Sequence, residues 1–288
     1  MKNYRTYIGI DVAKLTLDYC IVKEDPQLEQ GQILNTQKSV DKFLKTLKKT
    51  GCQMNETLFV FENTGIYSSL LALVLSENSL DYAQVPALEI KRSLGITRGK
   101  SDKVDAKEIA HYAKRNTDKI ALSTLPELSL QQLKIVFAER EKTVAAIKTF
   151  ERTKENEMFL TKEVFNSVKA INNQTVKHLK KQLVMLDEKI RTLIREDENL
   201  YGQQQLLKSI PGIGDITSVY ILMATKGFTA FTSGRKYACY SGVAPFEHSS
   251  GTSIKGKTRE SELADKKMKT LLHRAPLTSI KFDPDLKE

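Results

Sequence analysis

Four carboxylates in the first part of the chain have types and spacing suited to sharing a metal ion. Asp11 falls at the polar break of IGIDVAK, with Lys14 three residues on; Glu62 ends the apolar run TLFVFE; Asp102 and Asp105 lie three apart in KSDKVDA. Residues three apart on a helix face the same way, and acids at the ends of two paired strands reach one edge of a sheet. Four oxygen donors without histidine or cysteine suit Mg2+ or Mn2+ better than zinc. Two such ions, about 3.5 to 4 Å apart, clamp the attacking and leaving oxygens of a phosphodiester displacement. Singly, each acid has an ordinary alternative: Asp102 caps a helix or meets its dipole, Asp11 sits in a turn, Glu62 pairs with a lysine. Their combination in a basic chain is what points to chemistry.

The elements that must position these acids follow from periodicity. YRTYIGIDVAKLTLDYCIVK reads as two β-rich runs broken around Asp11 to Lys14, and GQILNT as a third strand, giving an antiparallel meander. Ser39 to Lys49 is helical, with Val40, Phe43, Leu44 and Leu47 on one buried face. TLFVFE, residues 57 to 62, is apolar throughout, as expected of a strand covered on both faces. Helix (Tyr67 to Glu77), strand (Asp81 to Val85) and a further helix after Pro86 follow. A basic loop, GITRGKSDKVDA, then leads into a helix from about Asp102 to Lys114. The sum is an α/β domain over residues 1–125, a mixed sheet with helices on its faces.

Beyond Leu128 the texture is charged and helical, with almost no Gly or Pro. Val176, Leu179, Leu183, Leu186, Ile190 and Leu193 alternate spacings of three and four, a coiled-coil seam. Leu133, Phe137, Val144 and Ile147 keep the register less cleanly, and Asn172 and Asn173 read as the turn of a helical hairpin; an intermolecular seam is equally allowed. Residues 126–200 are thus expected to be a helical spacer, and 201–288 a mainly helical C-terminal domain. There, LLKSIPGIGDITSVYILMAT reads as a helix-hairpin-helix, in which Gly212 and Gly214 permit a tight turn whose backbone N–H groups can receive a DNA phosphate. YACYSGVAPFEHSSGTSIKGKTR is rich in Gly and Ser with a basic tail, a functional loop rather than core.

Composition narrows the class. The 288 residues favour two domains over one, and 45 Lys+Arg against 35 Asp+Glu give a net charge of +10, which attracts polyanions through counterion release. The absence of Trp argues against a chain built on base-stacking platforms. No stretch approaches the roughly 18 apolar residues of a membrane span, and MKNYRTYIGID is no secretory signal; a cytoplasmic protein without a membrane partner is expected. Cys20, Cys52 and Cys239 are widely spaced with no CxxC pair, so neither a disulfide framework nor a zinc site is indicated.

YIGIDVAK, FENTGIYS and GKSDKVDAKEIA, followed by SIPGIGDITSVYILMAT and YSGVAPFEHSSGTSIKGKTR, resemble in order and spacing the DEDD-type insertion-sequence transposases, which include Piv-type invertases and bridge-RNA-guided recombinases. The resemblance runs from about Tyr7 to the C-terminus. It implies a RuvC-like (RNase H-like) domain, a coiled-coil spacer and a C-terminal transposase domain. It maps a Mg2+-binding tetrad onto Asp11, Glu62, Asp102 and Asp105, and a serine nucleophile onto Ser250 in HSSG, with Ser249 as the fallback. Lys255, Lys257 and Arg259 would supply cations near that serine. It further implies DNA ends and target as substrates, a noncoding guide RNA, and a homo-oligomer, dimer or tetramer. Relatives continue past FDPDLKE into further helices, so the C-terminal domain reads as truncated.

Three other readings compete. A RuvC-like structure-specific endonuclease would use the tetrad with water alone, and a non-catalytic nucleic-acid-binding remnant would keep only the basic surface. An actin-like sugar kinase would share the strand and acid of IGIDVAK, but no GTT-type phosphate hairpin follows Asp11 and the PGIG turn has no role there.

Overall fold

A computed structural model of the chain describes residues 2–23, 28–94, 102–244, 249–250, 254–255, 261 and 264–282. The chain divides into two units, Met1–Leu125 and Pro126–Glu288. The first is a five-stranded sheet with helices on both faces. Its elements in order are β1 (Thr6–Val12), β2 (Thr16–Lys23), β3 (Leu28–Leu34), α1 (Gln37–Lys49), β4 (Thr57–Glu62), α2 (Ile66–Glu77), β5 (Tyr82–Val85), α3 (Ala87–Leu94) and α4 (Asp102–Arg115). The spatial order is β3-β2-β1-β4-β5. The first three strands form the antiparallel meander, whereas β4 runs parallel to β1, and β5 parallel to β4. This is the mixed sheet with helices on its faces that the sequence leads one to expect.

Alternation divides the side chains between two cores. Ile8 and Ile10 of β1 and Phe59 and Phe61 of β4 point to one face, where α1 and α2 supply Leu44, Leu71 and Leu75. Each fully buried side chain of this kind contributes roughly 1.5–3 kcal/mol, so the continuous apolar run of β4 is itself a reason for a sheet covered on both sides. On the other face Tyr7, Leu58 and Val60 meet Ile109 and Ala113 of α4, and Cys20 and Val22 meet Ala106 and Ala110. Gly9 lets this helix come close: a Cβ there would overlap the backbone N of Ala110 and the carbonyl O of Ala106.

The second unit contains α5 (Leu128–Arg152), α6 (Lys162–Arg195), α7 (Glu198–Lys208), α8 (Asp215–Thr225), α9 (Gly234–Tyr240), the short strands β6 (Ser249–Ser250) and β7 (Ile254–Lys255), and α10 (Lys266–Phe282). α5 and α6 form an antiparallel hairpin within one chain. Pairs across it run in opposite directions: Arg140 Nε to Asp187 Oδ1 at 2.6 Å, Lys180 to Glu151 at 2.7 Å and Lys169 to Glu157 at 2.8 Å. The reversal is not at Asn172–Asn173, which lie inside α6. It occurs at the 3-10 turn Thr153–Met158 and is followed by Thr161, whose side chain caps α6 by accepting from the backbone N–H of Val164. Asn is only a mild helix breaker, and Asn172 instead donates through Nδ2 to Thr153 Oγ at 3.0 Å, pinning the helix against the turn. Leu133, Phe137, Ile190 and Leu193 join Leu207, Leu222 and Met268 in one core, so the hairpin root and the C-terminal helices pack together. Among the described residues no helix is long and apolar enough to cross a membrane.

Candidate active site

β1 and β4 pair in parallel from Thr6↔Thr57 to Ile10↔Phe61. Continued by one step, that register sets Asp11 beside Glu62, both at the carboxyl ends of their strands, where open α/β sheets bind their ligands. Period-two alternation puts both on the face that α4 covers, with Tyr7 and Gly9. α4 runs antiparallel to β1: Ala106 and Ala110 abut Gly9, and Lys114 Nζ donates to the carbonyl of Lys23, opposite Thr6, at 2.9 Å. Its first turn therefore lies toward the Asp11 end. Asp102 opens that turn, although its side chain is outside the described residues; Asp105, one turn on, is half-buried. Acids in a first turn also offset the helix dipole, so this position is comfortable for them.

Sequence reasoning missed a fifth carboxylate. Asp18 of β2 is the cross-strand partner of Asp11 and is only 2% exposed. Gln32 of β3 donates through Nε2 to both of its oxygens, at 2.9 and 3.1 Å. Two like charges directly opposite on neighbouring strands are unfavourable, so the pair belongs in a place where a cation or donors offset them. The rim is tied down as well: Asn35 Nδ2 donates to the carbonyls of Ala13 and Tyr67, both at 3.0 Å, linking the β1–β2 turn to the start of α2. Gly65, at φ +69°, makes the turn from Glu62 into α2. The structure thus brings Asp11, Glu62 and Asp18 to one end of one sheet face. Among the described residues, no group of three or more His, Cys, Asp or Glu side chains is close enough to hold a metal ion.

The second unit arranges its candidates differently. Ser250 lies in β6, which pairs antiparallel with β7 through Ser249↔Lys255 and Ser250↔Ile254. The side chains of Ser249, Ser250 and Lys255, and the whole of Lys257 and Arg259, lie outside the described residues. At the PGIG turn the two glycines separate. Gly212, at φ +87°, packs on α10, where a Cβ would overlap the carbonyl of Ala275, and Ser279 Oγ donates to the carbonyl of Pro211 at 2.5 Å. Gly214 meets nothing within 4 Å and begins α8 without a side-chain cap. Of the two, Gly214 is the one that faces open space.

A polar cluster there had no signal in residue spacing. Asp265 accepts from the hydroxyls of Tyr220 and Tyr240 at 2.8 and 3.0 Å, while its other oxygen accepts from the backbone N–H groups of Lys267 and Met268 at the start of α10. Burial, and then the Asp265 charge, push the Tyr240 hydroxyl up to about 12. Lys267 lies over the rings of Phe137 and Tyr220, 4.5 and 4.9 Å from their centres, and pairs with Glu141. The cluster fastens α10 to α5, α8 and α9, beside a cavity of about 440 Å³.

Comparison with known proteins adds relatives to this geometry. Residues 8–156 match a DEDD-type family described as Transposase, and residues 204–288 match the Transposase IS116/IS110/IS902 family. Pilin gene-inverting proteins of Moraxella bovis and Moraxella lacunata are each 30% identical over 254 residues, covering 87% of this chain and 75% of theirs. A putative transposase of Sinorhizobium fredii is 33% identical over 93 residues, 32% of this chain and 23% of that one. Among solved structures, T. thermophilus RuvC in complex with a Holliday junction substrate aligns with 42% of this chain and all of its own, at 12% identity and a TM-score of 0.30.

Proposed function

This chain belongs to the DEDD-type transposases of the IS110 family and is an enzyme of DNA transposition and recombination; from that premise we propose that it cuts and rejoins DNA through a serine ester, with its carboxylates holding a divalent cation. The observation that carries the reading is the β1–β4 register, continued to Asp11 and Glu62 at the end where α4 begins. The donors are all carboxylate oxygens, a set that fits a hard ion. In this reading Asp11, Glu62, Asp102 and Asp105 hold Mg2+, with Mn2+ as a substitute. Such an ion, when bound, stabilises charge on the phosphodiester oxygens and favours ionisation of a nearby hydroxyl.

The chain's own residues do the rest. Ser250 Oγ forms an ester to phosphorus as the bond to the leaving sugar oxygen breaks, and that oxygen takes up the proton the serine gives up. The ester conserves bond energy, so a hydroxyl of another strand reverses the step without ATP. Lys255, Lys257 and Arg259 offset charge on the pentavalent phosphorus, and the backbone beside Gly214 receives a phosphate of the flanking duplex. A noncoding RNA guides the choice of DNA, leaving the protein to hold backbones; sequencing nucleic acid that copurifies from the cell is the test of that part.

The deciding experiment traps the protein–DNA adduct after reaction with Mg2+ and maps the modified residue. The adduct is expected on Ser250 and absent from Ser250→Ala and Asp11→Asn. An adduct that persists in Ser250→Ala moves the role to Ser249 or elsewhere. Cleavage without any adduct makes the chain an endonuclease acting with water.

A further inference from the structure

The α4-covered side of the sheet is only partly covered. α4 lies over β1, β2 and β4, whereas the same face of the edge strand β3 is open, with Leu28, Gln30 and Gln32 exposed. The opposite face of β3 is closed, since Gly31 sits under the Tyr19 ring and Ile33 packs on the core. The flank of α4 that borders this open floor carries Lys103, Lys107, His111 and Lys114, spaced four, four and three and so on one side of the helix. Among the described residues none of the three lysines makes an ion pair. Glu29, the acid of β3, alternates to the other face, where its charge acts on Tyr19. Burial, then the charges of Lys107, Arg115 and Lys114, hold His111 below its usual range. Like charges at this spacing cost helix stability, and among the described residues the compensation is one hydrogen bond, from Lys114 to the carbonyl of Lys23. Gln30 reinforces the arrangement by donating to the carbonyl of Lys103 at 3.0 Å.

We propose that the Lys103–Lys107–Lys114 flank of α4, with the amide floor of Gln30 and Gln32, is a track for one DNA strand that ends at Asp11 and Glu62. The track is about 16 Å long at ~1.5 Å per residue, roughly five nucleotide rises of about 3.4 Å. Lysines on the wall meet phosphates, and the exposed glutamine side chains, their amide nitrogens held by Lys103 and Asp18, form a floor without sequence preference. At its far end Gln32 is already committed to Asp18, so the track closes on the carboxylates. The inference rests on the DNA-cutting reading above and adds where the substrate strand lies.

The test measures binding of a labelled single-stranded 20-nucleotide DNA to the full chain by fluorescence anisotropy over a range of NaCl, without divalent ion. The triple variant Lys103→Gln/Lys107→Gln/Lys114→Gln is expected to bind at least several-fold more weakly near 0.1 M salt and to flatten the log–log salt slope by about 2, at roughly 0.7 per lost phosphate contact. Should the triple variant lose helicity, Lys107→Glu alone reads the same slope with one lysine changed. An unchanged slope and affinity overturn the track, as does a loss confined to an RNA of the same sequence. The two proposals fail separately. If the unmutated chain cuts no DNA but the slope still flattens, the DNA-cutting reading falls and the track stands. If the chain cuts DNA with the slope unmoved, the track falls.

Discussion

The two units of this chain place their candidate reactive groups by opposite means. In the first, the acids stand at points where regular elements end or begin: the next-to-last residue of β1, the last residue of β4, and the first turn of α4. Their positions follow from strand register and helix direction. In the second, the expected serine sits in a two-residue strand, paired with another of two residues that holds Lys255. Neither of these strands is long enough to set a side chain by periodicity. The carboxylates are thus placed by long regular elements, whereas the expected serine stands on a pair of two-residue strands. Changes at the acids should cost activity alone, and changes to the packing beneath them should cost the fold.

The largest effect that can break this contrast is at Asp11 or Glu62. Asp11→Asn or Glu62→Gln should lower the rate of DNA strand cleavage on the order of a thousandfold, about 4 kcal/mol in the barrier, with thermal unfolding unchanged within about 2 °C. Activity within tenfold of the unmutated chain would remove these acids from the chemistry. Phe61→Ala, one residue from Glu62 but on the other face, should instead cost about 3–5 kcal/mol of stability, read by denaturant unfolding; a loss below about 1 kcal/mol would mean that the sheet is not the rigid frame argued for.

Asp18 sharpens the comparison, because it is structural by burial and electrostatic by position. Asp18→Asn keeps the shape and lets Gln32 re-pair by turning its amide. It should weaken Mn2+ binding, measured calorimetrically, by several-fold while leaving the melting temperature almost unmoved. A fall in stability with unaltered metal affinity would assign Asp18 to packing.

Two smaller effects belong to the second unit and depend on pH. Tyr240 has its folded value raised to about 12 by burial and Asp265. Its proton therefore stabilises the fold fully below the unfolded value of about 10, and that contribution is lost as the pH rises through about 12. Asp265→Asn should bring Tyr240 ionisation, followed by ultraviolet absorbance, to a lower pH. Asp197 is the reverse case. Burial pushes its carboxyl up, but the N–H of Leu200 and the hydroxyl of Ser129 more than offset this, and the net shift is downward. Its cap of α7 is worth about 1 kcal/mol above the ordinary carboxylate range, and is lost as the pH falls through the lowered value. Asp197→Ala should be less stable by that amount at pH 7, and the gap to the unmutated chain should narrow as the pH falls through the lowered value.

How far the sequence could be read follows the same division. The run TLFVFE and the break in IGIDVAK announce a buried strand ending in an acid and a first strand that closes near one, so the mixed sheet of the first unit was readable, whereas its strand order and the parallel pairing that sets Asp11 beside Glu62 came only with the fold. Asp18 was not. Within TLDYCIVK it looks like one polar residue of an alternating strand, and only the pairing of β1 with β2 and the Gln32 donor reveal it as a buried acid beside Asp11. Asn172 and Asn173 misled because paired asparagines commonly mark turns, whereas the helix continues through them and Asn172 spends its amide on Thr153. PGIG gave the right turn but hid a division of labour: Gly212 is needed for contact with α10, a helix some sixty residues on, and nothing local in the sequence announces that contact.

Gly9 carries a consequence for anyone who reads this protein through its variants. It has no functional group, yet it sets how near α4 comes to β1 and thereby the aperture between the strand ends and the first turn of that helix. A methyl group there would lever the whole helix outward, and the acids at its start would travel with it. In an activity screen position 9 would then score like a reactive residue, although it never meets the substrate: the caliper of the site is a place where an atom is missing.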